Sequence, residues 1–292
     1  METDAIEILS VDLLAEPRAE EFRQLSIELQ VELGWHYLLD LPWASHHVRG
    51  SDVLDAGAGI GLMQWWLARR GVNVVSVDRN PRTIPVGLDY GAKIKGNYGR
   101  ESRGRRGRYV LRKPVKLLPS KGGVVTMVHS DLSNLPLDDE SVDCVVAISA
   151  LEHNDPVDLP SVVTELLRVI RPGGRLIATL CAGKTDWFHE PSHAWCYTAE
   201  TLATAFGINT TDTNFGQFDE LLTELRGCDE LRANLASFYF VSGNNGMPWG
   251  EWDPLYLPVG ILKTKPISDD AERRLIAYRS DPEATRRRLG AS

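Results

Sequence analysis

The sequence predicts a doubly wound α/β domain, in which helices cover both faces of a mostly parallel sheet, and three features of the 292-residue chain carry that prediction. Residues 53–61, Val-Leu-Asp-Ala-Gly-Ala-Gly-Ile-Gly, read as a short apolar strand that ends in an acid and enters three glycines spaced two apart. A turn that lets a nucleoside lie against the backbone needs residues that tolerate positive φ and carry no Cβ, and Gly57, Gly59 and Gly61 meet that need. Residues 72–77 then form a β-branched run with the length of a buried parallel strand, closed by Asp78. The separation of the two acids, 78 − 55 = 23, is close to the ~20-residue offset at which a carboxylate reaches ribose hydroxyls in a βαβ nucleotide site. Finally, apolar strand segments alternate with helical ones as far as residue 182.

Taken in order, the elements support this class. Phe22, Leu25, Leu29 and Leu33 make one helical stripe, although Leu25, Ile27, Leu29, Val31 and Leu33 also alternate as a strand would. The good helix formers Glu, Gln and Leu favour the helix, with Gly34 as its stop. Trp35, His36, Tyr37 and Trp43 follow as an aromatic cluster before the first strand. A helix over 62–70 is stopped by Gly71. Strands are predicted at 124–128 and 141–149. Residues 167–180 read as a helix end, an Arg-Pro-Gly-Gly turn and a fifth strand, with Pro172 ending the helix. Beyond these, 198–206 reads as a helix, 217–235 has helical character, 242–253 is a long loop containing Trp249 and Trp252, and 258–265 is a last strand. A charged tail follows residue 268.

The glycines are spaced G-x-G-x-G, with Leu at position 62, whereas the NAD fingerprint places its third glycine three residues after the second. With Asp55 two residues before the first glycine, this loop resembles that of class I S-adenosylmethionine (SAM)-dependent methyltransferases. Asp131-Leu132 after the third strand, and Ala150-Leu151-Glu152-His153 after the fourth, resemble the ubiquinone-methyltransferase-like branch, methyltransferase type 11. The resemblance covers roughly residues 50–182 and implies a Rossmann-like, seven-stranded, mostly parallel sheet with an antiparallel last strand. It implies SAM as cofactor, held by Asp55, Gly57, Ala58, Gly59, Gly61, Asp78, Arg79, Asp131, Leu132, Ser149 and Tyr37. Asp131-Leu132 would hold the adenine amino group and pack on its ring. N-terminal helices would roof the cofactor, where Tyr37 or His36 either touches the methionine end or packs in the core. The chain accordingly divides into an N-terminal helical cover (1–49), a methyltransferase domain (50–266) with a basic insertion (91–123) and a substrate or lid region (183–257), and a charged tail (267–292).

His153, His189 and His193 follow strands that open onto the carboxyl edge of the sheet, where ligands of such folds lie, so they are the candidate bases for methyl transfer to oxygen or nitrogen. Each histidine taken singly reads first as a hydrogen-bonded structural residue, and transfer by proximity alone needs no base. His189-Glu190-Pro191-Ser192-His193 satisfies the H-E-x-x-H zinc pattern, but Pro191 opposes the regular helix that this chemistry requires, so no metal is expected. Cys144, Cys181, Cys196 and Cys228 are scattered without a C-x-x-C pair and read as reduced thiols.

The net charge is −8, yet residues 91–123 hold eleven basic residues against Glu101, so the remainder carries −18. Arginines there either grip a phosphate or carboxylate of an anionic, small-molecule or sugar-linked acceptor, or form a solvated loop that pairs with the acidic body. A SAM- or nucleic-acid-binding module without transferase activity is the alternative, although the acidic body would repel a polyanion. No run of ~18 apolar residues and no signal-like start is found, so a cytoplasmic protein without a membrane partner is expected.

Overall fold

A computed structural model of the protein describes residues 4–80, 82–83, 110–111, 115–117, 122–209, 213–240, 247 and 250–267, with the backbone alone at 82–83, 110–111 and 115–117. The first half runs β1 (Ala5–Ile8), α1 (Pro17–Leu29), α2 (Tyr37–His47), β2 (Asp52–Ala56), α3 (Met63–Arg69), β3 (Asn73–Asp78), β4 (Arg82–Thr83), β5 (Val110–Leu111), β6 (Val115–Leu117) and β7 (Val125–His129). The second runs β8 (Val142–Ile148), α4 (Leu159–Val169), β9 (Ile170–Ala182), β10 (Trp187–His189), β11 (Ala194–Tyr197), α5 (Ala199–Phe206), α6 (Phe218–Arg226), α7 (Asp229–Ala233) and β12 (Leu257–Thr264).

The main sheet has the order β1-β12-β9-β8-β2-β3-β7-β6, with the β10–β11 hairpin attached to β9 through β11. The β9-β8-β2-β3-β7 block is parallel throughout, and β12 joins it antiparallel, as a doubly wound sheet requires. Its strands β2 and β8 are buried along nearly their whole length, because helices cover both faces. Among the described residues ten strands form this sheet, rather than the seven implied by the resemblance. One addition comes from the N-terminus: β1 pairs antiparallel with β12, so the helical cover expected over 1–49 begins with an edge strand. The Asn214 side chain completes that edge, accepting from Ile8 N–H at 2.7 Å and donating to Ile8 C=O at 2.9 Å, as a neighbouring strand would.

Two local expectations are corrected. Helix α1 ends at Leu29, not at Gly34, because Gln30 takes the left-handed conformation (φ 54°) and the Ser26 hydroxyl bonds to Val31 C=O at 2.7 Å. Arg171-Pro172-Gly173-Gly174 lies inside β9, not in a turn before it. The β8–β9 register jumps there between Val142 and Cys144, and a Cβ on Gly174 would sit 2.4 Å from the Asp143 carbonyl oxygen. The helical character read at 217–235 is carried by two helices, α6 and α7, separated at Gly227-Cys228. The basic insertion and the tail after residue 267 lie almost wholly outside the described residues, as does most of the 242–253 loop.

Helix α1 is fixed to α3 by packing and charge. Phe22 stacks on Trp66 with ring centroids 5.3 Å apart, and the Arg70 guanidinium covers that indole at 3.8 Å. Glu21 accepts from both Trp66 Nε1 (2.9 Å) and Arg70 (2.5 Å). Because α3 begins directly after the glycine loop, this contact holds the N-terminal segment over the loop. Cys144, Cys181 and Cys196 are buried, Cys228 is half-buried, and all four are free thiols.

Candidate functional site

The glycine loop is shaped by the strands that flank it. The N–H groups of Gly57 and Ala58 both donate to Val77 C=O, at 2.9 and 3.1 Å, which folds the loop back over the end of β3. Asp78 then accepts from Gly59 N–H at 2.8 Å and from Asn80 N–H at 2.7 Å. Its carboxylate thus organises the loop, and each oxygen keeps a lone pair for a further donor. Gln64, fully buried on α3, donates to Gly61 C=O at 3.0 Å and accepts from the Ser76 hydroxyl at 2.7 Å, joining the loop to the middle of β3.

Glycine is required at these positions for different reasons. Gly57 has φ +69°, and a Cβ there would lie 2.4 Å from the Ala150 methyl. Gly59 has φ +47°, but a Cβ there would meet only the Asp78 carboxylate, at 4.0 Å, so its outer side is open. That open side belongs to a cavity of about 230 Å³. The floor is Asp55, Gly57, Ala58, Gly59 and Gly61, and Tyr37 and Leu41 of α2 with Val31 and Leu33 close the other side. A glycine-backed floor, a buried acid at its strand end and an apolar cover suit a nucleoside cofactor.

The other candidates do not line this cavity. Leu132 packs on the core near Gly57, while the exposed Asp131 accepts from the N–H and hydroxyl of Ser133, at 2.9 and 2.7 Å, which together hold its carboxyl below the usual range. Arg79 is exposed beyond Asp78. Ser149 is held left-handed (φ 47°) at the end of β8, its N–H donating to the Thr179 hydroxyl and carbonyl and its own hydroxyl donating to Glu152. A non-glycine residue in that conformation is the kind of strain that collects at functional sites. The Tyr37 phenol lies against Ser149, and burial followed by the charges of Glu152 and Asp40 holds its pKa far above the ordinary value.

The three histidines separate into two environments. His189 is buried, its Nδ1 2.6 Å from the Ser192 hydroxyl and its ring edge-on to Trp187 and Tyr256, and burial lowers its pKa. His153 and His193 are exposed, and His153 Nδ1 meets the His193 carbonyl oxygen at 2.8 Å. The H-E-x-x-H segment is a short 3-10 turn (Glu190–Ser192) between β10 and β11, where His193 adopts φ +50°, so the helical zinc geometry is not formed. Among the described residues no group of three or more His, Cys, Asp or Glu side chains could hold a metal ion, and no helix is long and apolar enough to cross a membrane.

Sequence reasoning named Tyr37 in an N-terminal roof but missed the apolar residues that line the cavity with it and the buried polar layer beside them. Val31, Leu33, Leu41 and Ile148 line the cavity, while Asp40 and Glu152 are buried within electrostatic reach of Tyr37. An acid inside an otherwise apolar stretch, as Asp40 is among Leu38, Leu39 and Leu41, was the available signal.

A family described as "Methyltransferase domain" matches residues 106–178. The chain is 29% identical over 130 residues to a demethylmenaquinone methyltransferase of Clavibacter sepedonicus, covering 44% of this chain and 41% of that one. It is 30% identical over 130 residues to a probable S-adenosylmethionine-dependent methyltransferase of Mycolicibacterium smegmatis, covering 44% and 38%. It is also 30% identical over 169 residues to a malonyl-[acyl-carrier protein] O-methyltransferase of Pectobacterium atrosepticum, covering 58% and 51%. The chain therefore spans about half, or less, of the length of these curated relatives. Among solved structures, a geranyl diphosphate C-methyltransferase of Streptomyces coelicolor aligns over 91% of both chains with 16% identity and a TM-score of 0.46. Over these stretches the chain is similar to class I SAM-dependent methyltransferases.

Proposed function

We propose that the protein transfers the methyl group of SAM to an oxygen or nitrogen of a small-molecule or glycan-precursor acceptor. The observation that carries this reading is the open side of Gly59, backed by Asp78 and covered by Tyr37 in one cavity. SAM, when bound, supplies an electrophilic methyl group on a sulfonium. The chain's own part is to hold and align: the glycine loop receives the nucleoside, Asp78 has lone pairs left for ribose hydroxyls, and Asp131-Leu132 face the base. Tyr37 and Ser149 border the donor end.

For the acceptor's proton, His153 is the best placed of the three histidines. Its Nδ1 donates to the His193 carbonyl in the neutral ring, which leaves Nε2 as the free lone pair. His189 stays neutral through burial, and it shapes the wall beside Tyr256. The region from 183 to 257 supplies acceptor contacts in this reading, and the arginines of the basic insertion grip an anionic group on the acceptor.

The test is incubation with methyl-labelled SAM and fractionated small-molecule extract. Label in a low-molecular-weight product is the expected outcome, and replacing Arg103, Arg105, Arg106 and Arg108 with Ser should raise the acceptor KM while SAM affinity stays near wild type. Label in RNA instead, or SAM binding with no transfer to any fraction, would overturn the small-molecule reading.

A further inference from the structure

Two carboxyl groups are buried beside the cofactor cavity with too little positive charge to balance them. Glu152 is 1% exposed and Asp40 2%. Glu152 Oε1 accepts from the Ser149 hydroxyl, while Oε2 has no hydrogen-bond partner among the described residues. Asp40 Oδ2 meets His36 Nδ1 at 2.9 Å, its Oδ1 has no hydrogen-bond partner among the described residues, and the Thr179 hydroxyl acts on the carboxyl as a whole. Both carboxyls act on the Tyr37 phenol, which lines the cavity and touches Ser149, so a continuous path of side chains leads from the cavity wall to Glu152.

The surrounding groups offset this pair only in part. His36 is engaged with Asp40, and His153 and His36 favour the charged form of Glu152, but His153 is exposed with its ring on the His193 carbonyl and burial outweighs both. Tyr37, Tyr197 and Tyr256 are held neutral chiefly by burial, and Cys181 by its contact with Cys196 and by burial, with the charge of Glu152 adding to each. Burial raises the pKa of both carboxyls, so ionising them requires a counter-charge. A cation brought in by a ligand is the missing partner. SAM carries one at its donor sulfur, whereas its product, S-adenosylhomocysteine (SAH), is neutral there.

We propose that Glu152, with Asp40, forms an anionic wall behind Tyr37 and Ser149 that attracts the positive donor end of SAM, so that the site favours the charged donor over the neutral product. This rests on the SAM-dependent reading above. Its consequence is functional: loss of the sulfonium charge on transfer removes the attraction and helps SAH leave. In a partly buried site, unit charges several ångströms apart attract strongly enough to change affinity by about tenfold.

Calorimetric titration of the full chain with SAM, SAH and sinefungin tests it. Sinefungin carries a protonated amine where SAM carries its methylated sulfur and undergoes no transfer. Wild type should bind SAM and sinefungin about tenfold more tightly than SAH, and Glu152→Gln should bring the three affinities together by weakening the cations while leaving SAH within about twofold. Should Glu152→Gln not fold, Asp40→Asn and the wild-type ratio carry the same test. SAH binding as tightly as sinefungin to wild type would overturn the charge wall and leave the cofactor reading standing. Failure to bind any of the three would overturn both.

Discussion

Gly57 and Gly59 occupy one loop and one conformational region, yet the structure separates their roles. Gly57 is required by packing, because a methyl there overlaps Ala150, whereas Gly59 faces open space in the cavity. Gly57→Ala should therefore lower stability by roughly 2–4 kcal/mol, combining left-handed strain with overpacking. Gly59→Ala should cost only the strain, about 1 kcal/mol, but lose most of its SAH affinity because the methyl occupies cofactor space. Urea unfolding and calorimetry on the two variants check this, and equal stability losses would contradict the division. At this scale the cavity floor was legible: G-x-G-x-G and Asp55 are local patterns fixed by backbone chemistry, and they line it. Asp78 was read only as a ribose clamp. Its bonds to the N–H groups of Gly59 and Asn80 depend on how β3 meets the loop in space, which no spacing reveals.

At the scale of elements, the sequence was readable where one force decides and misleading where tertiary contacts do. Helix α5 starts at its Thr198 cap and ends at Gly207, close to the prediction, because caps are local signals. Helix α1 stops early on a left-handed Gln30, and the glycines of β9 serve close strand approach rather than a turn, for reasons that lie in neighbouring chain segments. The β10–β11 hairpin gives the element-scale prediction. His189 is buried within it with a lowered pKa, so the unfolded chain binds a proton more readily than the native one. Stability attributable to this ring is present above the unfolded value of about 6.5 and falls as pH drops from there toward the folded pKa. His189→Asn should be less stable than wild type at pH ~7.5 by about 1–2 kcal/mol, since it gives up buried packing and the Ser192 bond. It should also lose less stability between pH ~7 and ~5, because the side chain cannot take up a proton. Urea midpoints across that range decide the matter, and parallel curves for the two proteins would show that His189 is not a source of the acid dependence.

For the whole molecule, the site is a joint between a sheet whose loops are legible in the residues themselves and an N-terminal segment whose position only the family resemblance implied. The floor comes from residues 55–61 and the cover from Val31, Leu33, Tyr37 and Leu41, and the two are held together by the Phe22–Trp66 stack and the Glu21–Arg70 pair. Nothing in the periodicity of residues 22–41 could announce this, because the cover exists only when α1 packs on α3. A ligand that fills the joint must stabilise both sides at once, since binding to the native state lowers every opening that exposes the cavity. Hydrogen exchange with saturating SAH should therefore slow amides in the glycine loop and, in the same experiment, those around residues 31–41. The outer edge, β1 with Asn214, should change little, as it lies on the far side of β12 from the cavity-bearing strands. Protection confined to the glycine loop would mean that the N-terminal segment does not close over the cofactor. Uniform protection, edge included, would mean that the molecule opens only by global unfolding, with no separate motion of the cover.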